Sequence, residues 1–173
     1  MADRISIGDQ APNFDLSSTE NCLLMLRDEV PRTAVVLYFF SDPASERARR
    51  DLAALGRSRK DLVAAHAKPL AISRADLASL QKLQSELRLP FPLLHDDRDF
   101  SSRYGVAAAQ EGHEPAPALF VVNRLQKVLW LANPVASVED ALPEVVKSLK
   151  DQGSTAGNYP RAVINRLVDR WVN

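Results

Sequence analysis

Hydrophobic and polar positions along this chain switch repeatedly between a strand-like and a helical rhythm. Residues 34–40 (AVVLYFF) form an unbroken apolar run of strand-forming residues, the pattern of a strand buried on both faces. Residues 45–65 then take helical spacing, with Leu52, Leu55 and Leu62 among charged residues. Residues 68–73 (KPLAIS) read as a second buried strand, and residues 76–87 as a helix with Leu77, Leu80, Leu83 and Leu87 on one face. Upstream, residues 11–16 and 21–26 read as two small strands. Downstream, Pro90-Phe91-Pro92 breaks the pattern, Leu93-Leu94 leads into an acidic turn at 95–99, and residues 100–104 make one helical turn ended by Gly105. Residues 118–123 (ALFVVN) and 128–131 (VLWL) predict a hairpin, and residues 138–149 a closing helix whose regular part starts late because of Pro143. Strands alternating with helices, then a hairpin and a helix, predict an α/β three-layer sandwich around a mixed central sheet.

A different pattern follows this domain, which spans residues 1–150. Residues 151–157 (DQGSTAG) read as a flexible linker, and Pro160 suits the first turn of a further helix. Val163, Ile164, Leu167, Val168, Trp171 and Val172 then form one apolar stripe, with Arg161, Arg166, Asp169 and Arg170 off it. The segment 151–173 is therefore expected to be a linker and a C-terminal amphipathic helix. Its stripe needs cover from its own domain or from another chain. The expectation taken is another chain, a protein partner or a second copy, with Trp171 as the anchoring aromatic.

Composition narrows the function. The chain has 173 residues, enough for one domain with a proper core, and its 22 Lys and Arg balance its 22 Asp and Glu. A zero net charge argues against a general nucleic-acid or membrane-surface binder. No apolar run approaches the roughly 20 residues of a membrane-spanning helix, and MADRISIGDQ lacks the apolar segment of a signal peptide. A cytoplasmic protein is expected. Cys22 is the single cysteine, so no internal disulfide forms, and no Cys/His spacing suits zinc. No cofactor and no metal are expected.

Several residues admit two readings. Cys22 is a small apolar filler or an atypical redox thiol. His95, Asp96, Asp97 and Asp99 are a solvated acidic turn in preference to a metal cluster, and His66 and His113 read as surface residues. Arg47, Arg49, Arg50, Arg57, Arg59 and Lys60, set against Glu46, Asp51 and Asp61, make either a solvated helix face or a docking face for an acidic partner.

Four segments carry a family resemblance: IGDQAPNFDL at 7–16, VVLYFF at 35–40, LPFPLLHDDRDFSSRYGV at 89–106 and PALFVVN at 117–123. Their order and spacing resemble the peroxiredoxin (AhpC/TSA) family of the thioredoxin-like fold, nearest its bacterioferritin-comigratory or PrxQ subgroup. In that family the buried strand leads to Pro, three residues, Thr or Ser, two residues and the peroxidatic Cys. That Cys lies in the first turn of a helix, where the helix dipole and a nearby Arg favour thiolate. Counted from Phe40, the Pro falls on Ser41, the hydroxyl on Ser45 and the Cys on Ala48. The partner cysteine of the subgroup falls on Ala53, and the Arg before the later strand on Pro117 or Ala116. Taking Pro43 as the motif Pro instead puts Arg47 and Arg50 at the hydroxyl and sulfur positions.

Only the hydroxyl is kept, and alanine offers no nucleophile. The resemblance thus implies a protein with a vestigial site at Ser45, Ala48 and Pro117 and no peroxidase chemistry, serving as a binding or assembly module. The alternative is an antioxidant thiol peroxidase that works through Cys22. A third reading puts a different ligand in the pocket around Ser45 and Ala48. Pro117 also fits either the cis-proline of many thioredoxin-like proteins or an ordinary strand-start proline.

Overall fold

A computed structural model describes residues 4–106 and 115–156. In chain order the elements are β1 (Asp15–Ser18), β2 (Leu23–Met25), α1 (Leu26–Glu29), β3 (Ala34–Phe39), α2 (Glu46–Arg57), α3 (Arg59–Ala64), β4 (Ala67–Ser73), α4 (Leu77–Leu87), β5 (Leu93–His95), α5 (Phe100–Arg103), β6 (Ala118–Val122), β7 (Val128–Ala132) and α6 (Val138–Ala156). The strands make one mixed sheet in the order β2-β1-β5-β4-β3-β6-β7. β3 lies inside the sheet beside the central β4, parallel to β4 and antiparallel to β6, with Leu37 level with both Leu70 and Phe120.

The continuous apolar run at 34–40 is explained by the two layers that cover it. Val36, Tyr38 and Phe40 enter one core with Leu52, Leu55 and Leu62 of α2 and α3, Leu80 and Leu83 of α4, and Leu142, Val145 and Leu149 of α6. Val35, Leu37 and Phe39 point the other way, into a core with Phe14, Leu26, Phe100, Tyr104 and Phe120. The period of two along a strand delivers alternate residues to opposite faces, so both sets must be apolar. The expected three-layer α/β sandwich with a mixed sheet is the observed architecture.

Boundaries differ from expectation in five places. The first strand is β1, displaced from 11–16, and Leu26 at the end of the second begins α1. The helix expected over 45–65 divides at Ser58 (φ −84°, ψ 4°) into α2 and α3, where Gly56 and Ser58 lower the helical preference. α6 starts at Val138 and carries Pro143 inside it. The missing amide leaves only the carbonyl of Glu139, a residue exposed to water, without its helical bond.

α6 also continues to Ala156, through six residues expected as linker. Leu149 is buried just before them, and the Asn123 Nδ2–H donates to Gln152 Oε1 at 3.2 Å, so tertiary contacts hold turns that composition disfavours. The apolar stripe at 163–172, and His113, lie outside the described residues. Among the described residues the cis peptide is Asn133–Pro134, so Pro117 takes the strand-start role, not the cis one.

Candidate functional site

The C-terminal end of β3 turns sharply into α2. Asp42 Oδ1 accepts from the Ala44 amide at 2.8 Å, an Asx turn that brings the chain round. Ser45 is the N-cap of α2 in extended conformation (φ −60°, ψ 128°), and its hydroxyl oxygen accepts from the Ala48 amide at 3.4 Å. Ala48 therefore sits in the first turn of the helix, 4% exposed. The Ser73 hydroxyl donates to the Ser41 carbonyl at 3.0 Å and ties the turn to the end of β4.

A cavity of about 200 Å³ lies at this turn, lined by Tyr38 and Phe40 of the strand end, Ser41, Asp42, Ser45 and Ala48 of the turn and helix start, and the 115–117 segment before β6. The rings of Tyr38 and Phe40 are stacked, 5.7 Å between centroids and 12° between planes. The sequence-derived candidates Ser45, Ala48 and Pro117 thus meet in one pocket, with Arg47 at its edge. Pro117 is buried, and its carbonyl accepts from the Val135 amide at 2.8 Å.

Arg47 is not free to serve the pocket. Its guanidinium donates to the Val135 carbonyl and, at 2.9 Å, to the Ala136 carbonyl, and its Nε lies 4.0 Å from Asp51. Asp51 is 4% exposed and joins three elements. It accepts from the Tyr38 hydroxyl at 2.7 Å and from the Val138 amide, at the start of α6, at 3.4 Å. Burial first, and the Asp51 carboxylate second, hold the Tyr38 phenol far above its ordinary range, so it remains a donor. This Tyr38–Asp51 pair did not emerge from the sequence reading. A signal existed: Asp51 falls three residues after Ala48 and next to Leu52, on the buried phase of α2.

The remaining candidates lie apart. Arg49 pairs with Glu86 of α4 at 2.6 Å and Arg57 with Glu139 of α6 at 3.5 Å, while Arg50 projects to solvent. The Arg49 hydrogen bond holds the exposed Glu86 carboxyl below the usual range. Cys22 is exposed in the β1–β2 turn, with its sulfur 3.2 Å from the Ser18 hydroxyl, which corrects the expectation of a packed apolar filler. Three strands separate β2 from β3, which at about 4.8 Å per strand spacing puts Cys22 on the order of 20 Å from the pocket.

The acidic turn is structural. Asp96, 3% exposed, accepts from the amides of Phe100 at 2.8 Å and Ser101 at 2.9 Å, and so caps α5. Asp99 pairs with Arg74, and His95 Nδ1 lies 2.7 Å from the Ala75 carbonyl. Among the described residues no three His, Cys, Asp or Glu side chains converge as a metal would require, and His66 is exposed.

A mixed sheet sandwiched by helices, with a pocket where β3 meets the first turn of a long helix, defines the class: a thioredoxin-like protein of the peroxiredoxin type. The AhpC/TSA family model matches residues 7–131, and the chain belongs to that family. It is 27% identical over 148 residues, 85% of this chain and 68% of the relative, to a putative chloroplastic peroxiredoxin Q of Oryza sativa subsp. indica. A chloroplastic peroxiredoxin Q of Triticum aestivum is 26% identical over 86% of this chain and 68% of its own. Among solved structures, the peroxidoxin BcpB of Mycobacterium tuberculosis superimposes with a TM-score of 0.78 at 19% identity, covering 86% of this chain and 98% of that one. A PrxQ mutant of Xylella fastidiosa gives 0.77 at 18% identity, covering 87% and 98%. The chain thus resembles peroxiredoxin Q proteins in sequence and shares their fold. Among the described residues, no helix is long and apolar enough to cross a membrane.

Proposed function

We propose that this chain is a peroxiredoxin-fold protein without thiol-peroxidase chemistry, serving as a binding or assembly module. The observation that carries this reading is Ala48 in the first turn of α2, at the pocket, where the family motif calls for the peroxidatic sulfur. Two features support it. The guanidinium at the pocket edge, Arg47, is committed to the Val135 and Ala136 carbonyls and to Asp51. Pro117 and Ala116, where the motif count puts the thiolate-stabilising Arg, carry no charge. Reduction of a peroxide needs two electrons from a nucleophile, and a serine hydroxyl that caps the helix supplies none.

The module's contact segment, in this reading, is the apolar stripe Val163, Ile164, Leu167, Val168 and Trp171, held by a protein partner or a second copy of the chain. A cytoplasmic setting belongs to the same proposal. Purified protein and a Cys22→Ser variant, given hydrogen peroxide and a thiol reductant, should both fail to turn over. Turnover by the wild type that vanishes in Cys22→Ser favours the alternative, in which the exposed Cys22 is the working thiol. Removing residues 157–173 should leave a folded core that no longer associates in size-exclusion chromatography or pull-down. A cut after Leu149 is less informative, since it would also delete the last turns of α6 and the Asn123–Gln152 bond.

A further inference from the structure

Two charged side chains line the pocket at the end of β3, Asp42 and Arg47. Arg47 is committed elsewhere. Its guanidinium donates to the Val135 and Ala136 carbonyls, and the buried Asp51 carboxylate, 4.0 Å from its Nε, offsets its charge. Asp42 keeps one oxygen open: Oδ1 accepts from the Ala44 amide, and Oδ2 has no partner among the described residues. Two hydroxyls share the rim with it. That of Ser41 has no partner among the described residues, and Ser45 Oγ, which accepts from the Ala48 amide, keeps a second lone pair.

We infer that this pocket binds a primary alkylammonium ion. An ammonium carries three N–H donors and no acceptor. The rim meets them with the Asp42 carboxylate and the two serine hydroxyls, all of which accept. Behind the rim stand Tyr38 and Phe40, whose stacked rings attract a cation through the aromatic quadrupole. The Tyr38 hydroxyl is engaged with Asp51, so its ring is what remains for a ligand. Ala48, Ala116 and Pro117 add apolar wall for a short alkyl chain.

Charge and size select within that class. The N-terminus of α2 contributes about half a positive charge. Asp42 opposes it with a full negative one, and Glu46 in the first turn of α2 adds another. The balance favours a cation over an anion, the reverse of what a thiolate site needs. It is reversed because the positions where the family motif puts an arginine hold Ala116 and Pro117. A cavity of about 200 Å³ has room for about six atoms at the roughly 30 Å³ that a water molecule takes in the liquid. n-Butylammonium fits that room.

Amide NMR of the full-length, isotope-labelled chain near pH 7 tests this. n-Butylammonium chloride should produce saturable shifts centred on residues 41–48, with n-butanol and n-butyrate binding at least about tenfold more weakly, the loss expected when a charge-assisted bond is missing. Asp42→Asn keeps the oxygen that caps the Ala44 amide and removes the charge, and should weaken n-butylammonium by about tenfold or more. Ser41→Ala removes a hydroxyl with no partner in the fold and should weaken it by about threefold. n-Butyrate or n-butanol binding as tightly as the ammonium overturns the inference, as do shifts scattered over acidic surface residues or no saturable shift at 41–48. If Asp42→Asn does not fold, Ser41→Ala decides, and unchanged affinity in that variant overturns it. A lysine capped at both ends supplies the same ammonium from a protein side chain. Tighter binding than n-butylammonium assigns the site to a partner's lysine and weaker binding to a free amine, and both results support it. The titration uses neither peroxide nor reductant, so turnover through Cys22 would overturn the function proposed above and leave this site standing.

Discussion

Removing the Tyr38 hydroxyl tests whether the Asp51 network holds the edge of the pocket together. Tyr38→Phe keeps the ring and its stacking on Phe40 and deletes one 2.7 Å bond to a buried carboxylate. A hydrogen bond to a charged group contributes about 1.5–3 kcal/mol. For a domain of this size 1 kcal/mol corresponds to about 2–4 °C, so the melting temperature should fall by about 3–12 °C. Asp51→Ala should cost more, because it strands the buried Tyr38 hydroxyl, and an unsatisfied buried polar group alone costs about 1–3 kcal/mol. It also strands the Val138 amide, which donates to Asp51 at 3.4 Å.

Urea unfolding of the two single variants and the double variant closes a cycle. The coupling between the two sites should lie between about 0.5 and 3 kcal/mol, as for groups in one network. A Tyr38→Phe cost below about 0.5 kcal/mol, the range of ordinary surface substitutions, or a coupling near zero, would refute the claim that this bond joins β3 to α2 and α6.

Alkaline stability should respond to two phenols. Burial raises the pKa of both Tyr38 and Tyr104 above the ordinary 10.0, so their contribution is complete below pH 10 and declines as pH rises past it, when unfolded but not native phenols ionise. Tyr38→Phe should therefore flatten the fall in unfolding free energy above pH 10, measured by urea titration at several pH values. On the acid side, Glu86 has a lowered pKa through Arg49, so its contribution is present above its unfolded pKa and is lost as pH falls through the native one. Arg49→Met should raise the Glu86 titration midpoint seen by carboxyl NMR, and an unchanged midpoint would contradict the pairing. Ala48→Cys in a Cys22→Ser background should give a thiol that alkylates with a midpoint nearer the ordinary value of about 8.5 than the depressed values of reactive sites. A midpoint at or below about 6 would mean that Arg47 leaves its carbonyl partners to stabilise a thiolate.

Local pattern carried the architecture because strands and helices announce themselves within a few residues. AVVLYFF is apolar at every position since β3 faces two cores, and the period of two splits it cleanly between them. Ser45 ahead of a charged helical stretch marks the start of α2, and the family resemblance, counted from Phe40, implies Ala48 in its first turn. Positions that depend on chain order, such as the pocket between Ser45, Ala48 and Pro117, were legible for the same reason, since the order of elements in a known fold determines which strand end meets which helix.

Tertiary structure alone decided what the charged side chains do. Arg47 reads as one of six basic residues on a helix, yet its partners Val135 and Ala136 lie 88 and 89 positions away; Arg49 finds Glu86 at 37, and Asp51 finds Val138 at 87. Such pairings depend on how helices stack across a sheet, and periodicity within one helix holds no record of the helix beside it. The same holds for Cys22, whose exposure follows from its place in an edge hairpin. It holds too for residues 151–156, where buried Leu149 and the Gln152 contact keep helical a stretch whose composition favours a loop. Burial and partnership are properties of packing between layers, and a chain encodes them only through the fold as a whole.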